Sequence, residues 1–233
     1  MPNQAPAKNR LLASLPAAEQ RRLTARMRPV DLEFRQILYR TGAEIKCVYF
    51  PNSGTASALT IMEDGSAIEV ATIGREGLVG LGALLADKTS ANEVIIQIAG
   101  DALRMDIDVL EEEAGGDSPL RRQLLLYQTA FLTQVSYSVA CNGLHSLEQR
   151  CCRWLLMTHD RVDSDDVPLT HEFLGIMLGV RRASVTDVLR PLNEQGLVSN
   201  GRGTITILDR GGLEALSCEC YRKVKSEFDR LLG

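Results

Sequence analysis

The stretch HEFLGIMLGVRRASVTDVLRPL, His171 to Leu192, carries two short amphipathic helical patterns on either side of Gly179. With His171 opening the first helix, Leu174, Leu178, Val180, Val185 and Val188 fall at the spacing that lets two crossed helices bury one shared seam. Gly175 lies where such helices must touch. Gly179 falls in the tight turn, where a positive φ is cheap only for a residue without Cβ. The second helix opens on Arg181, Arg182, Ala183 and Ser184, so two guanidinium groups and a hydroxyl sit at the end that enters a major groove in a helix-turn-helix. An ordinary helical hairpin has the same apolar pattern, and the chain that follows separates the two. Leu197-Val198-Ser199-Asn200 and Thr204-Ile205-Thr206-Ile207 are short strand patterns around Gly201-Arg202-Gly203. They make a wing, with Arg202 at its tip facing where phosphates would lie.

Upstream of this motif the helical spacing is longer. From Ser118, the residues Leu120, Leu124, Tyr127, Phe131, Gln134, Ser138 and Cys141 recur at alternating intervals of four and three, the seam of a coiled coil. A second stripe, Leu125, Leu132, Val135 and Val139, lies on another face, so one stripe can pack on the chain's own β-domain while the other meets a partner. The reading gives dimerisation to the seam Leu120, Leu124, Tyr127, Phe131, Gln134 and Ser138, and ends the helix at Asn142-Gly143. Leu144 to Val162 then begins another helix. Asp163-Ser164-Asp165-Asp166 with Pro168 reads as a loop, and Thr170 as the cap of the first reading-head helix. Asp209 to Gly233 reads as one or two more helices.

Between Arg28 and Asp106 the period changes to two, in strand-length segments separated by turn signals, as in a β-sandwich or jelly-roll barrel. Ile73 to Gly82 interrupts it with four glycines, which suits a loop whose backbone approaches something closely. Asn9 to Met27 is helical in spacing, with Pro16 placed to begin a second helix.

At 233 residues the chain suits two domains. Its net charge of −4 argues mildly against nucleic acid, but the acids cluster at Asp106–Glu113 and Asp160–Asp166, outside the reading head. No apolar run approaches the ~18 residues of a membrane span, and MPNQAPAKNR lacks a signal-peptide core, so no membrane partner is expected and the cytoplasm is the expected compartment. The six cysteines, with no export signal, are not expected to form structural disulfides. Cys151-Cys152 cannot face one ligand together, and Cys218-x-Cys220 has no second pair in sequence, so neither a metal site nor a cofactor is expected. Cys218 and Cys220 are the candidate redox pair, because Arg222, Lys223 and Lys225 would lower a thiol pKa. An enzyme is excluded by what is missing: no histidine precedes His145, so the barrel cannot build a metal-dependent cupin site, and no nucleophile triad, P-loop or dinucleotide signature occurs.

The order of a β-barrel with a glycine loop, a long helix and a winged helix-turn-helix resembles the Crp/Fnr family of bacterial transcription regulators. The resemblance is strongest in IGREGLVG at Ile73–Gly80, LEQRCCRWLLMTHDRV at Leu147–Val162 and LTHEFLGIMLGVRRASVTDVLRPLNEQGLV at Leu169–Val198. It implies an α+β chain: an N-terminal jelly-roll of cyclic-nucleotide-binding type (1–116), a dimerisation helix (117–143) and a winged helix-turn-helix domain with a helical extension (144–233). It implies a homodimer on a two-fold symmetric site in double-stranded DNA, with RNA polymerase as a possible further partner. The family's groove-reading arginine matches Arg182, with Ser184 and Thr186 nearby. Thr170, Arg181, Arg190 and Arg202 would hold the backbone. Ala183 stands where the family has glutamate and Asp187 where it has arginine, so the usual half-site sequence is not implied.

The effector site departs further from the pattern. Glu76 and Gly77 lie near the family's ribose-binding glutamate, but the window for its Arg-Ser phosphate pair reads Asp87-Lys88-Thr89-Ser90-Ala91-Asn92-Glu93, with Lys88 as the nearest cation. A cyclic phosphate would lose its bidentate partner there, so control by cyclic nucleotide is the alternative rather than the expectation. No cysteine precedes Cys47, which sets aside an N-terminal iron–sulfur cluster. A protein-interaction module with degenerate DNA binding is the alternative of a different class, motivated by the acidic balance and by Asp187.

Overall fold

The computed structural model describes residues 8–84 and 88–232. Residues 1–7 of the stretch read for a leader, and Asp87 at the start of the phosphate window, lie outside the described residues. The chain opens with α1 (Arg10–Ala13) and α2 (Ala17–Thr24), then β1 (Arg28–Leu32), β2 (Ile37–Tyr39), β3 (Cys47–Pro51), β4 (Thr55–Ile61), β5 (Ala67–Ile73), β6 (Glu93–Ile98) and β7 (Gly100–Asp106). Next come α3 (Ile107–Glu113), α4 (Pro119–Leu144), α5 (Leu147–His159), β8 (Asp166–Val167), α6 (His171–Leu178), α7 (Arg182–Glu194), β9 (Val198–Asn200), β10 (Ile205–Ile207), α8 (Arg210–Leu216) and α9 (Glu219–Leu232). The mixed helix and sheet architecture is the expected one. Contacts gather into two units: Met1–Ala58, Ile73–Leu132 and Glu227–Gly233 form one, Leu59–Thr72 and Thr133–Ser226 the other.

Strands β1, β7 and β3 form one sheet and β2, β6, β4 and β5 another, the two layers of a sandwich. In β3, Val48 and Phe50 are fully buried, and on the paired β7 so is Met105, opposite Val48, with Ala102 buried on the other face. β2 escaped the sequence pattern because it is three residues long and its pairing with β6 shifts register between Ile37 and Tyr39. α3 was hidden among acids. Ile107, Leu110 and Ala114 nevertheless bury one side of it, and Glu112 and Glu113 accept hydrogen bonds from Arg26 at 2.7 Å each.

α4 corrects two expectations. It runs through Asn142-Gly143 to Leu144, and α5 starts at Leu147 behind a capping box in which Ser146 and Gln149 satisfy each other's backbone N–H groups. More important, the seam read as a dimer contact faces inward. Leu120, Leu124, Tyr127, Gln134 and Ser138 are buried within the chain, and Phe131 is half-buried. Four of the six, Tyr127, Phe131, Gln134 and Ser138, have partners that explain it. The Tyr127 ring packs tilted on Phe131 and edge-on to Phe228, and its hydroxyl donates to the Leu78 carbonyl. Gln134 donates to the Thr72 carbonyl at 3.0 Å, and the Ser138 hydroxyl accepts from Arg153 at 2.9 Å. The second stripe is the open one, with Leu125, Leu132 and Val139 exposed by 52, 56 and 67%.

Candidate nucleic-acid interface

Thr170 caps α6, its hydroxyl accepting the Phe173 N–H at 3.2 Å. The helix ends at Gly179 in the left-handed region, φ 65° and ψ 38°, as the turn requires. A Cβ on Gly175 would lie 2.8 Å from the carbonyl oxygen of Val180, so the backbone of the turn packs directly on α6 at that point. Phe173, Leu174, Met177 and Leu178 from α6 and Val185, Val188, Leu189 and Leu192 from α7 fill the core around the crossing. Val180 is only half-buried, because it lies in the turn rather than in the seam.

The opposite side of α7 is free of this packing. Arg182, Ala183, Thr186, Asp187 and Arg190 are exposed there, Arg181 is exposed at the N-cap, and Ser184 is half-buried. Arg190 reaches Asp187 at 3.6 Å, an exposed pair of small energetic weight. Thr186 donates its hydroxyl hydrogen to the Arg182 carbonyl at 3.2 Å and therefore accepts from Nδ1 of His171 at 3.0 Å. β9 and β10 pair antiparallel around an exposed Arg202, and Gly201 N–H closes the turn on the Thr204 carbonyl at 2.8 Å. β8, in the stretch read as a loop, adds a third strand on β10.

Two positioning residues escaped the sequence reading. His171 ties the start of α6 to α7 through Thr186. Arg150 on α5 donates to the Leu178 carbonyl, one of the orphan acceptors at the α6 C-terminus, and burial lowers its pKa. Neither signal is visible without knowing which helices meet.

Glu76, Gly77 and Lys88 each have other engagements. Glu76 is buried and accepts the Gly74 N–H at 3.1 Å. The close approach expected of the glycine loop is to the chain itself, since Gly77 lies against the Tyr127 ring of α4. Lys88 is held by Glu111 at 2.9 Å, with Asp108 at 3.7 Å, and Glu111 is the main reason its pKa rises. A phosphate at Lys88 would have to displace a carboxylate already in place.

The cysteine expectations are corrected by proximity that spacing could not reveal. Cys218-x-Cys220 does meet a second pair, Cys141 and His145, and one ligand atom from each of the four lies within 4.8 Å of the others. Arg222, Lys223 and Lys225 are exposed and do not set the thiol acidity. The Cys141 thiol does so by its bond to Cys218, lowering Cys218 to about 5 and itself rising, while burial first and Cys218 second lift Cys220 to about 11.

Residues 29–114 match the cyclic nucleotide-binding domain and residues 149–216 the Crp-like helix-turn-helix domain. No protein of curated function matches the chain in sequence. Among solved structures, FixK2 from Bradyrhizobium japonicum is 18% identical with a TM-score of 0.70, over 82% of this chain and 98% of that one. A putative transcriptional regulator of the Crp/Fnr family from Eubacterium rectale is 21% identical with a TM-score of 0.67, over 88% and 96%. A CRP-family transcriptional regulator from Thermus thermophilus is 19% identical with a TM-score of 0.67, over 81% and 96%. Among the described residues no helix is long and apolar enough to cross a membrane. Carrying both the nucleotide-binding-type sandwich and the Crp-like DNA-binding domain in one chain, this protein belongs to the Crp/Fnr family of transcription regulators, DNA-binding proteins rather than enzymes.

Proposed function

We propose that the chain acts in the cytoplasm as a homodimer on a two-fold symmetric operator, with no requirement for cyclic nucleotide. The observation that carries the reading is the outer side of α7, where Arg182, Thr186 and Arg190 stand clear of a core that fixes the helix from behind. In this reading Arg182 makes a bidentate contact to guanine and Ser184 and Thr186 flank it, while Thr170, Arg181, Arg190 and Arg202 hold phosphates. The division of labour runs 1–116 for the signal-receiving domain, 117–143 for dimerisation and 144–233 for DNA. The open stripe Leu125, Leu132 and Val139 is the surface for the second copy, since the inner seam is already filled. RNA polymerase is a natural further partner for such a regulator.

Independence from cyclic nucleotide is supported by Lys88, whose ammonium is occupied by Glu111. The experiment is titration of the reduced protein into DNA from its own promoter region, with and without cyclic AMP, for the wild type and Arg182→Ala. Loss of specific binding by ~1–3 kcal/mol in the variant, with non-specific binding retained and no effect of nucleotide, is the expected result. Equal loss on both DNAs removes Arg182 as a base reader. Binding that appears only with cyclic AMP makes the protein nucleotide-responsive.

A further inference from the structure

The C-terminal end of α4 and the turn between α8 and α9 bring three thiols and an imidazole to one point. Cys141 and His145 are one helical turn apart, with the His145 N–H still bonded to the Cys141 carbonyl at 3.2 Å, so both side chains leave the same side of the helix. Cys218 immediately precedes α9 and Cys220 lies in its first turn. Cys141 Sγ is 3.5 Å from Cys218 Sγ, and Cys220 Sγ is 3.6 Å from His145 Nδ1. We propose that Cys141, His145 Nδ1, Cys218 and Cys220 are the four ligands of a structural zinc site.

The geometry fits this ion closely. Zn–S bonds of about 2.3 Å and a Zn–N bond of about 2.0–2.1 Å in a tetrahedron put sulfurs ~3.8 Å apart and sulfur from nitrogen ~3.6 Å. The two measured pairs lie within a few tenths of an ångström of those edges, and every pair lies within 4.8 Å. So tight a donor set encloses one ion, and a multi-iron cluster with bridging sulfides needs its thiolates farther apart. Three thiolates with one imidazole select zinc among common divalent ions, and four protein ligands leave no open position for catalysis.

The surroundings are those of a ligand set. Nε2 of His145 lies 3.3 Å from the Glu219 carboxylate, which fixes the Nε2–H tautomer and turns the Nδ1 lone pair toward the sulfurs. The three cysteines form a buried cluster against which the half-buried Tyr137 packs. The buried Arg153 acts electrostatically on Cys141 and Cys220 and offsets the single negative charge of a three-thiolate, one-imidazole zinc centre. Each Zn–S bond forms as a thiol proton leaves for solvent, with no change of oxidation state. Loaded, the site staples the end of α4 to the start of α9.

The test is a Co2+ titration of the full-length protein, reduced and stripped with a chelator. The expected result is an intense sulfur-to-cobalt band in the near ultraviolet with the d–d bands of a tetrahedral ion, saturating at one equivalent and erased by Zn2+. Cys141→Ser and Cys218→Ser should lose the charge-transfer intensity, Cys151→Ala should keep it, and Glu219→Gln should weaken zinc binding about 10- to 100-fold. The wild-type titration needs no variant to fold. A flat titration of the reduced wild type overturns the site, as does a spectrum that survives Cys141→Ser with Cys218→Ser. A Cys141–Cys218 disulfide in protein isolated under reducing conditions also overturns it and makes the pair a redox couple instead.

Discussion

The backbone of Gly77 lies against the ring of Tyr127 so closely that a Cβ on the glycine would enter the space of the tyrosine hydroxyl and Cζ. Tyr127 is 1% exposed and held by Phe131 and Phe228, so the ring has nowhere to go. Gly77→Ala should therefore cost about 1–3 kcal/mol in urea denaturation. Tyr127→Leu in the same chain should recover part of that loss. Strictly additive costs would show that glycine loop and helix do not press on each other.

Gly175→Ala should have the opposite sign from an ordinary helix. In a helix interior that change gains about 0.5–1 kcal/mol, but here the new methyl meets the Val180 carbonyl oxygen at 2.8 Å. A destabilised helix-turn-helix with weakened operator binding is expected, measured by denaturation and by DNA titration. A more stable variant with full binding would mean that the turn after α6 has room to shift.

Leu132→Asp with Val139→Asp should yield folded monomers by sedimentation, because both positions are exposed in the single chain. Leu124→Asp should behave differently and destabilise the fold itself, as its side chain is 3% exposed. A double variant that stays dimeric would move the subunit contact to another surface.

Acid stability should depend on Arg26. Its guanidinium holds the Glu112 carboxyl below the ordinary carboxylate range. A depressed carboxyl contributes stability that is complete above the unfolded pKa and fades as pH falls through the folded one. Arg26→Gln should thus lower the melting temperature at neutral pH and reduce its fall on acidification, followed by thermal melts from about pH 6 to 3. Parallel curves for variant and wild type would refute the coupling.

Local features were legible in the sequence, and features made by distant residues were not. The α6–Gly179–α7 motif was readable because one apolar period and one obligatory glycine define it within 22 residues, His171 to Leu192. β2 and β8, three and two residues long, offer no alternation to detect. In α4 the heptad pattern revealed two stripes but not which of them the chain fills itself, since that depends on Leu78, Thr72 and Phe228 arriving from elsewhere. The four-ligand cluster was least legible of all. Its halves lie 77 residues apart between Cys141 and Cys218, and each half alone is an ordinary spacing.

The pairing of α6 and α7 is set by their buried side chains and the left-handed turn at Gly179, none of which belongs to the outer side of α7. Substitutions at Ala183, Thr186, Asp187 or Arg190 can change what that side touches without altering how the helix is mounted. Vocabulary and scaffold are separable under the proposed role of α7: a lineage would rewrite the operator it prefers one exposed side chain at a time, while the angle of presentation stays inherited.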